Sequence, residues 1–342
     1  MLKNTLFICG TPFQLFLAQN IIRTEGIHNA AILYLGNPQH PKAKHYLALF
    51  APNTSITRFW IDHELQHLKK RTISRKAKIL AEQLGHPHNV FIANYTILFY
   101  SFLLSYLPFE TLYSFDDGAD NINPLSPLHQ FHHQTQRQRL SYALKYGLRY
   151  RLKYQLRAHP KKILKNIKRH YTIFPQHPNI ISAVRPLKLQ ALTPTPAHST
   201  LTPRPVIKLF IGAYFSDMFT RSTDLTSLMA QLHRLFHDQK IDAYLPHPRE
   251  HTHHLPNAQH IDILAEEYVL TQIAAGRHVE LYGFASTVQL NLAHREQVTN
   301  HLITSASLHP KIRHLYEHIC DDRFNLIDLP TAQTPNLTKE PT

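Results

Sequence analysis

The sequence of 342 residues has only two cysteines, Cys9 and Cys320. Cys9 sits in an apolar, strand-like run, so it reads as a buried thiol and not as half of a disulfide. That usage fits a reducing compartment. Long hydrophobic runs are absent as well. No stretch reaches the ~20 apolar residues needed to span a bilayer. The nearest, Ala93–Phe109, is interrupted by Asn94, Ser101, Ser105 and Pro108 and reads as a buried helix. Met1–Gly10 is too short, and too soon followed by Pro12, to serve as a signal peptide. The chain therefore reads as cytoplasmic, with membrane association only at its surface. The GxGxxG fingerprint is missing, so a dinucleotide is not indicated.

Acidic residues are scarce in one region. From Asn121 to Ser216 there is none, and overall 37 basic residues outweigh 23 acidic ones, a net charge of +14. Such a balance points to an acidic partner: a nucleotide, an anionic glycolipid, a membrane surface or nucleic acid. The 27 histidines add positive charge as pH falls. Within the acid-free region, Arg137–Tyr171 interleaves arginines and lysines with Leu140, Tyr142, Leu144, Tyr150, Leu152 and Leu156. This reads as amphipathic helices. Their basic face is either simply solvated or docks anionic lipid and lipopolysaccharide phosphates.

What is present is an alternation of strands and helices. Leu6–Gly10 is a strand, and Thr11-Pro12 opens a helix with Thr11 as N-cap. Strands then fall at Ala30–Leu35, Ser55–Ile61, Asn89–Ala93 and Thr111–Phe115. Helices fall at Pro41–Phe50, His63–Leu84 and Thr96–Leu107. Phe174–Pro205 carries seven prolines and reads as a linker. The alternation restarts with strands at Val206–Ile211, Ile241–Leu245, His260–Leu264 and His278–Phe284. The helices of this half are Leu225–His237, Glu266–Ala275 and Ser286–Ala293, and Thr299–Ser305 and Lys311–Ile319 complete it. The expected architecture is α/β: a Rossmann-like lobe at 1–174 with a basic insertion at 121–171, a linker at 175–205, a second lobe at 206–330 and a tail at 331–342. Two such lobes form the plan of a GT-B glycosyltransferase, with a nucleotide-sugar in the cleft between them.

Several short patterns could carry chemistry. Asp116-Asp117-Gly118 ends a strand and could supply a general base, where the bland reading is an aspartate-glycine turn. With Asp120 it could also ligate a metal, although a GT-B plan argues against that. His247 is held between Pro246 and Pro248 at a strand end, where open α/β sheets bind ligands. Six His-Pro pairs occur in the chain, but only this one follows a strand and precedes a basic-acidic pair, Arg249 and Glu250. Ser286 and Thr287 sit at a strand-to-helix turn and could bind an anion or simply cap the helix. Glu266-Glu267 opens a helix, where it suits the dipole or could accept hydrogen bonds from a ribose diol.

Taken together, the order Asp-Asp-Gly, His-Pro, Glu, Ser-Thr resembles the bacterial sialyltransferases of GT-B type. Phe210-Ile211-Gly212, Tyr244–Glu250 and Glu266–Leu270 look like glycosyltransferase family 52, which includes lipooligosaccharide α-2,3-sialyltransferases. Cys9-Gly10-Thr11-Pro12-Phe13-Gln14-Leu15 fits the same family. The resemblance covers most of the chain and is weakest across Asn121–Pro205.

It implies the following roles. Asp117 resembles the base that deprotonates the acceptor hydroxyl, with Asp217 or Asp224 of the second lobe as alternatives. His247 resembles the group that protonates the leaving CMP phosphate. Ser286 and Thr287 resemble its phosphate-binding hydroxyls, and Glu266 the carboxylate that holds the ribose. Gly212 and Pro248 belong to the same donor-binding set. The implied reaction is an inverting, metal-independent transfer of sialic acid from CMP-sialic acid to a galactose-ended glycolipid. No cofactor is implied, and a homodimer is. The alternatives are a family 52 enzyme with another donor, such as a glucosyltransferase, or a basic nucleic-acid-binding protein. Against the latter stands the lack of any RRM, KH or zinc pattern.

Overall fold

In the computed structural model the chain divides into two compact units, Met1–Leu192 and Thr193–Thr342. The structure describes residues 4–50, 54–58, 70–124, 126, 159–192, 206–220, 225–247, 249–250, 255–319 and 321–329.

The first unit runs β1 (Thr5–Cys9), α1 (Pro12–Glu25), β2 (Ala30–Tyr34), α2 (Pro41–Ala48), β3 (Ser55–Arg58), α3 (Lys70–Leu84), β4 (Asn89–Ile92), α4 (Leu98–Tyr106) and β5 (Thr111–Phe115). A 3-10 turn (Gly118–Asn121), α5 (Pro160–Asn166), β6 (Ile167–Thr172) and β7 (Val184–Pro186) follow. All strands pair parallel, in the order β3-β2-β1-β4-β5-β6-β7. Strand order reverses between β1 and β4, so the loops leaving those two strands face a crevice at their carboxyl ends.

The strands read as near-continuous apolar runs because both faces are covered. Side chains alternate by two along each strand. Leu6, Ile8, Val90, Ile92 and Leu112 thus pack on Ile73, Ala77 and Leu80 of α3 and on Phe99, Phe102 and Leu103 of α4. On the opposite face Phe7 stacks on Phe91 at 4.5 Å, and Phe91 on Tyr113 at 4.7 Å. One aromatic ladder therefore links three neighbouring strands.

The second unit runs β8 (Val206–Ile211), α6 (Phe215–Met218), α7 (Leu225–Gln239), β9 (Ala243–Leu245), α8 (Ala265–Ala274), β10 (His278–Gly283), α9 (Thr287–Leu292), β11 (Val298–Thr304), α10 (Pro310–Ile319) and β12 (Phe324–Asp328). Its sheet is also parallel, in the order β12-β11-β10-β8-β9. The reversal here lies between β8 and β10, so Gly212 and the 284–287 turn flank the switch point. Phe210 centres the core on one face, with Phe236 at 5.1 Å, Tyr244 at 5.7 Å and Phe284 at 6.3 Å.

Four expectations need correction. The region read as a linker from 175 is part of the first unit as far as Leu192. Leu187, Leu189 and Leu192 are buried, and Arg23 donates to the carbonyls of Ala191 and Leu192. Prolines had masked this packing, because β7 is an edge strand that tolerates Pro186. The stretch Ile167–Thr172 is a strand between β5 and β7 and not the end of an amphipathic helix. Its core-facing residues, His170, Tyr171 and Thr172, are largely polar, which concealed it. The strand expected at His260–Leu264 is a loop. The sheet contact nearby is a single bridge between Tyr244 and Ala258. Finally, Phe324–Asp328 adds the edge strand β12, which the sequence reading omitted. Residues 127–158, most of the basic insertion, lie outside the described residues, as do 193–205 and the tail at 331–342. Among the described residues no helix is long and apolar enough to cross a membrane.

The position of Phe210 sets a first expectation. Phe210→Ala should cost about 3–5 kcal/mol. The urea midpoint of the second unit should fall with an unchanged m-value.

Candidate functional site

In the first unit, residues from three strand ends converge near Asp117. Thr11 caps α1, its Oγ1 accepting from the Gln14 N–H at 3.2 Å, and Pro12 fills the first helical position. The cap places Gln14 one turn into the helix, facing back toward the sheet. Gln14 Oε1 accepts from the Gly10 N–H at 2.6 Å, and its Nε2 donates to Asp117 Oδ1 at 2.7 Å. Asn94, just past β4, donates from Nδ2 to Asp117 Oδ2 at 3.0 Å. Asn94 Oδ1 is itself pinned by the Thr96 N–H and hydroxyl, each at 2.9 Å. Gly10 has no room for a side chain, because a Cβ there would strike the Tyr100 hydroxyl.

The two aspartates of the Asp-Asp-Gly pattern do different work. Asp116 is fully buried. Its Oδ1 lies 2.8 Å from His170 Nε2, and its Oδ2 accepts from the Ile173 N–H at 2.6 Å. His170 Nδ1 in turn lies 2.8 Å from Ser114 Oγ. The connectivity is that of a Ser-His-Asp triad, yet Ser114 is 1% exposed and His170 and Asp116 are 0%. No substrate reaches it, so it is a buried brace joining β5 to β6. Asp117 is only partly buried. Gly118 at φ +62° then turns the chain into the 3-10 turn. Asp120 lies close by, and burial first, then the Asp117 charge, push its carboxyl up to about 6.

In the second unit, β9 delivers His247. Gly212 N–H donates to the Leu245 carbonyl at 2.8 Å. A Cβ on Gly212 would lie 2.5 Å from His247 N and 2.9 Å from Leu245 O. Gly212 therefore serves the site by letting two backbones meet, which is why only glycine fits. His247 Nδ1 accepts from the Arg249 N–H at 3.2 Å, fixing the ring's orientation. Tyr214 stands between the two, with the His247 ring centroid at 6.3 Å and the Arg249 guanidinium 4.6 Å over its face. The turn is closed by Glu250, whose N–H donates to the His247 carbonyl at 2.8 Å and whose carboxylate accepts from the Tyr244 hydroxyl. Pro248 and Asp224 lie outside the described residues, as does the side chain of Asp217 on α6.

Ser286 is the N-cap of α9. Its Oγ accepts from the Gln289 N–H and Gln289 Oε1 accepts from the Ser286 N–H, both at 3.2 Å, a full capping box. Thr287 is exposed beside it. Ala285, immediately before, holds φ +48°. A non-glycine residue there costs roughly 1–2 kcal/mol, strain that recurs at ligand sites. Glu266 is 5% exposed and accepts from Asn291 Nδ2 at 2.9 Å, tying the start of α8 to α9. Its carboxylate is thus already engaged with protein.

The structure groups Gly212, His247, Ser286 and Thr287 along the carboxyl edge of β9, β8 and β10, and places Asp117 in the other unit. Sequence reading missed Gln14, Asn94, Tyr214 and Asn291. Only Gln14 had a signal, its place three residues after a capping threonine. Among the described residues, the group whose ligand atoms lie within 4.8 Å of one another is His314, Glu317 and His318 on α10, which shares no member with the sites above.

These observations define an α/β protein of two doubly wound units, each with polar groups assembled at its switch point. The Glycosyltransferase family 52 model matches residues 45–307, and the chain belongs to that family. It is 29% identical over 300 residues to the CMP-N-acetylneuraminate:beta-galactoside alpha-2,3-sialyltransferase of Pasteurella multocida, covering 85% of this chain and 87% of that protein. It is 26% identical over 292 residues to the N-acetyllactosaminide alpha-2,3-sialyltransferase of Haemophilus influenzae, covering 84% of this chain and 88% of that protein. Among solved structures it is similar to an S. aureus MnaA–UDP complex at TM-score 0.46 and 9% identity, covering 92% of this chain and 81% of that one.

Two expectations follow. Gly212→Ala should displace the turn that carries His247 and cost about 1–3 kcal/mol, visible as a lower melting temperature. Asp120→Asn should be more stable than the wild type above about pH 6. The folded carboxyl holds its proton more tightly than the unfolded one, so wild-type stability falls as pH rises through that window. Paired urea titrations should show the difference closing by about pH 4.

Proposed function

We propose that the chain is an inverting α-2,3-sialyltransferase of GT-B plan. It moves sialic acid from CMP-sialic acid to the terminal galactose of a glycolipid, a lipooligosaccharide. The observation that carries this is His247. It is held by Gly212, Pro246 and the Arg249 N–H at the carboxyl edge of a parallel sheet. Relatives named α-2,3-sialyltransferases that match more than four-fifths of the chain support the donor and linkage.

In this reading the donor's phosphate gains negative charge as the glycosidic bond breaks. His247 supplies a proton or hydrogen bond to it, and Ser286 and Thr287 add hydroxyl donors at the strained turn. Glu266 sits one element away, where with Asn291 it orients the ribose. A carboxylate, Asp117 or the second unit's Asp217 or Asp224, takes the proton from the attacking galactose hydroxyl. A single in-line displacement inverts the anomeric centre. Because protein donors carry the phosphate charge, the transfer proceeds without a metal or other cofactor. The basic residues between 137 and 166, upstream of β6, support contact with anionic lipid at the inner membrane.

Purified protein with CMP-sialic acid and lactose, in EDTA, should release CMP and form sialyl-lactose. His247→Ala should be slower by roughly 100-fold or more. Absence of both CMP binding and CMP release in the wild type would sink the reading.

A further inference from the structure

We propose that His314, Glu317 and His318, on the outer face of α10, form a binding site for a divalent transition-metal ion of the zinc or nickel class. The inference concerns the second unit alone and does not rest on the transfer reaction.

The spacing of the chain sets up the site. Residues three and four apart on a helix share one face, separated by at most about 6 Å of rise. Ile312 and Tyr316 turn inward onto the second unit's core, and the Tyr316 hydroxyl donates to the Ile303 carbonyl of β11 at 2.9 Å. With that face committed, His314 is left half-buried at the rim, and Glu317 and His318 are exposed. One ligand atom from each of the three lies within 4.8 Å of the other two. The His314 and His318 ring centroids are 3.7 Å apart, and Glu317 Oε2 lies 3.7 Å from His314 Nδ1. The His318 ring is already aimed. Its Nδ1 lies 3.0 Å from the His314 carbonyl oxygen, and a carbonyl only accepts, so Nδ1 carries the proton. Nε2 keeps its lone pair, which is the tautomer a metal ligand needs, and metal-bound histidines are commonly oriented by this same bond.

The donor set selects the ion. Two imidazoles and a carboxylate suit zinc, nickel and copper, whereas magnesium and calcium take all-oxygen shells. Around a tetrahedral zinc with bonds of about 2.0–2.1 Å, ligand atoms stand about 3.3 Å apart. Closing to that distance needs only side-chain rotation at the surface, where the Glu317 side chain is 71% exposed. Three protein ligands leave a coordination position for water. The same His-x3-His spacing recurs at His233 and His237 on α7, but there the His237 ring lies against Asp238 at 3.2 Å. Among the described residues, the trio on α10 is the group whose ligand atoms come together. Helix α10 leads from β11 to β12 at one edge of the sheet, whereas His247 leaves β9 at the other. An ion held by the trio would clamp the end of α10, at the opposite edge from the turn that carries His247.

The three ligands converge only when α10 is helical. The ion therefore binds the folded chain in preference to the unfolded one and raises its melting temperature. The full chain, stripped with EDTA and dialysed, is titrated calorimetrically with Zn²⁺ and melted at each concentration, with Mg²⁺ as the comparison ion. The wild type should take up a zinc equivalent that His314→Ala and His318→Ala each weaken by about 10-fold or more. The zinc-dependent rise in melting temperature should shrink with it, and Mg²⁺ should produce neither effect. Glu317→Gln, which keeps the shape and removes the charge, should also weaken zinc uptake. Melts without metal show that each variant folds. No zinc uptake by the wild type overturns the proposal, as does uptake that both histidine variants leave unchanged. Loss of the equivalent in His233→Ala, with α10 intact, overturns it too. So does a lower metal-free melting temperature in His318→Ala with zinc affinity unchanged, which would mark the ring as a helix cap and nothing more.

Discussion

The buried carboxylate of Asp116 is the constraint on which the first unit's site depends. A polar group sealed from water is tolerated only when it is hydrogen-bonded. Asp116 meets that demand with the His170 ring and the Ile173 N–H. Those partners belong to β6 and its exit, so the requirement joins β5 to β6 at a fixed register. With one carboxylate committed inward, the next residue must face the other way at the strand's end. Asp117 is therefore presented at the carboxyl edge by the same geometry that buries its neighbour.

The second unit solves an equivalent problem with backbone in place of charge. His247 could not sit where it does if position 212 carried a side chain. Pro246 ends the strand, and Glu250 closes the turn against Tyr244, whose phenol is pushed up by burial and then by that hydrogen bond. The histidine is thus held by contacts on both flanks.

Much of the fold was legible because it obeys simple periodicities. Apolar runs such as Leu6–Cys9 and Leu209–Ile211 announce strands buried on both faces, and Thr11-Pro12 announces a capped helix. What escaped were elements whose signals conflict with their roles. β6 carries a polar, functional-looking interior, and β7 ends in proline at a sheet edge. Asp117, His247 and Ser286 could be singled out as candidates because turn residues at strand ends leave local marks. Gln14 and Asn94 escaped because their partner lies 103 and 23 residues away, a relation that only strand order reveals. Glu266 was legible as a carboxylate but not as one already bound to Asn291.

The engagement of Glu266 and Ser286 with protein bears on how such a site works. A group already hydrogen-bonded in the fold has little rotational entropy left to lose when a ligand arrives. Ser286 accepts from the Gln289 N–H through its oxygen, which fixes the side chain at the start of α9. Glu266 accepts from Asn291 through one oxygen, which ties the start of α8 to α9. Asp117 follows the same rule with Gln14 and Asn94. In each case the fold consumes part of a side chain's hydrogen-bonding capacity to fix its direction. What remains is aimed, and preorganised groups of this kind stabilise developing charge without reorganising at the moment of reaction.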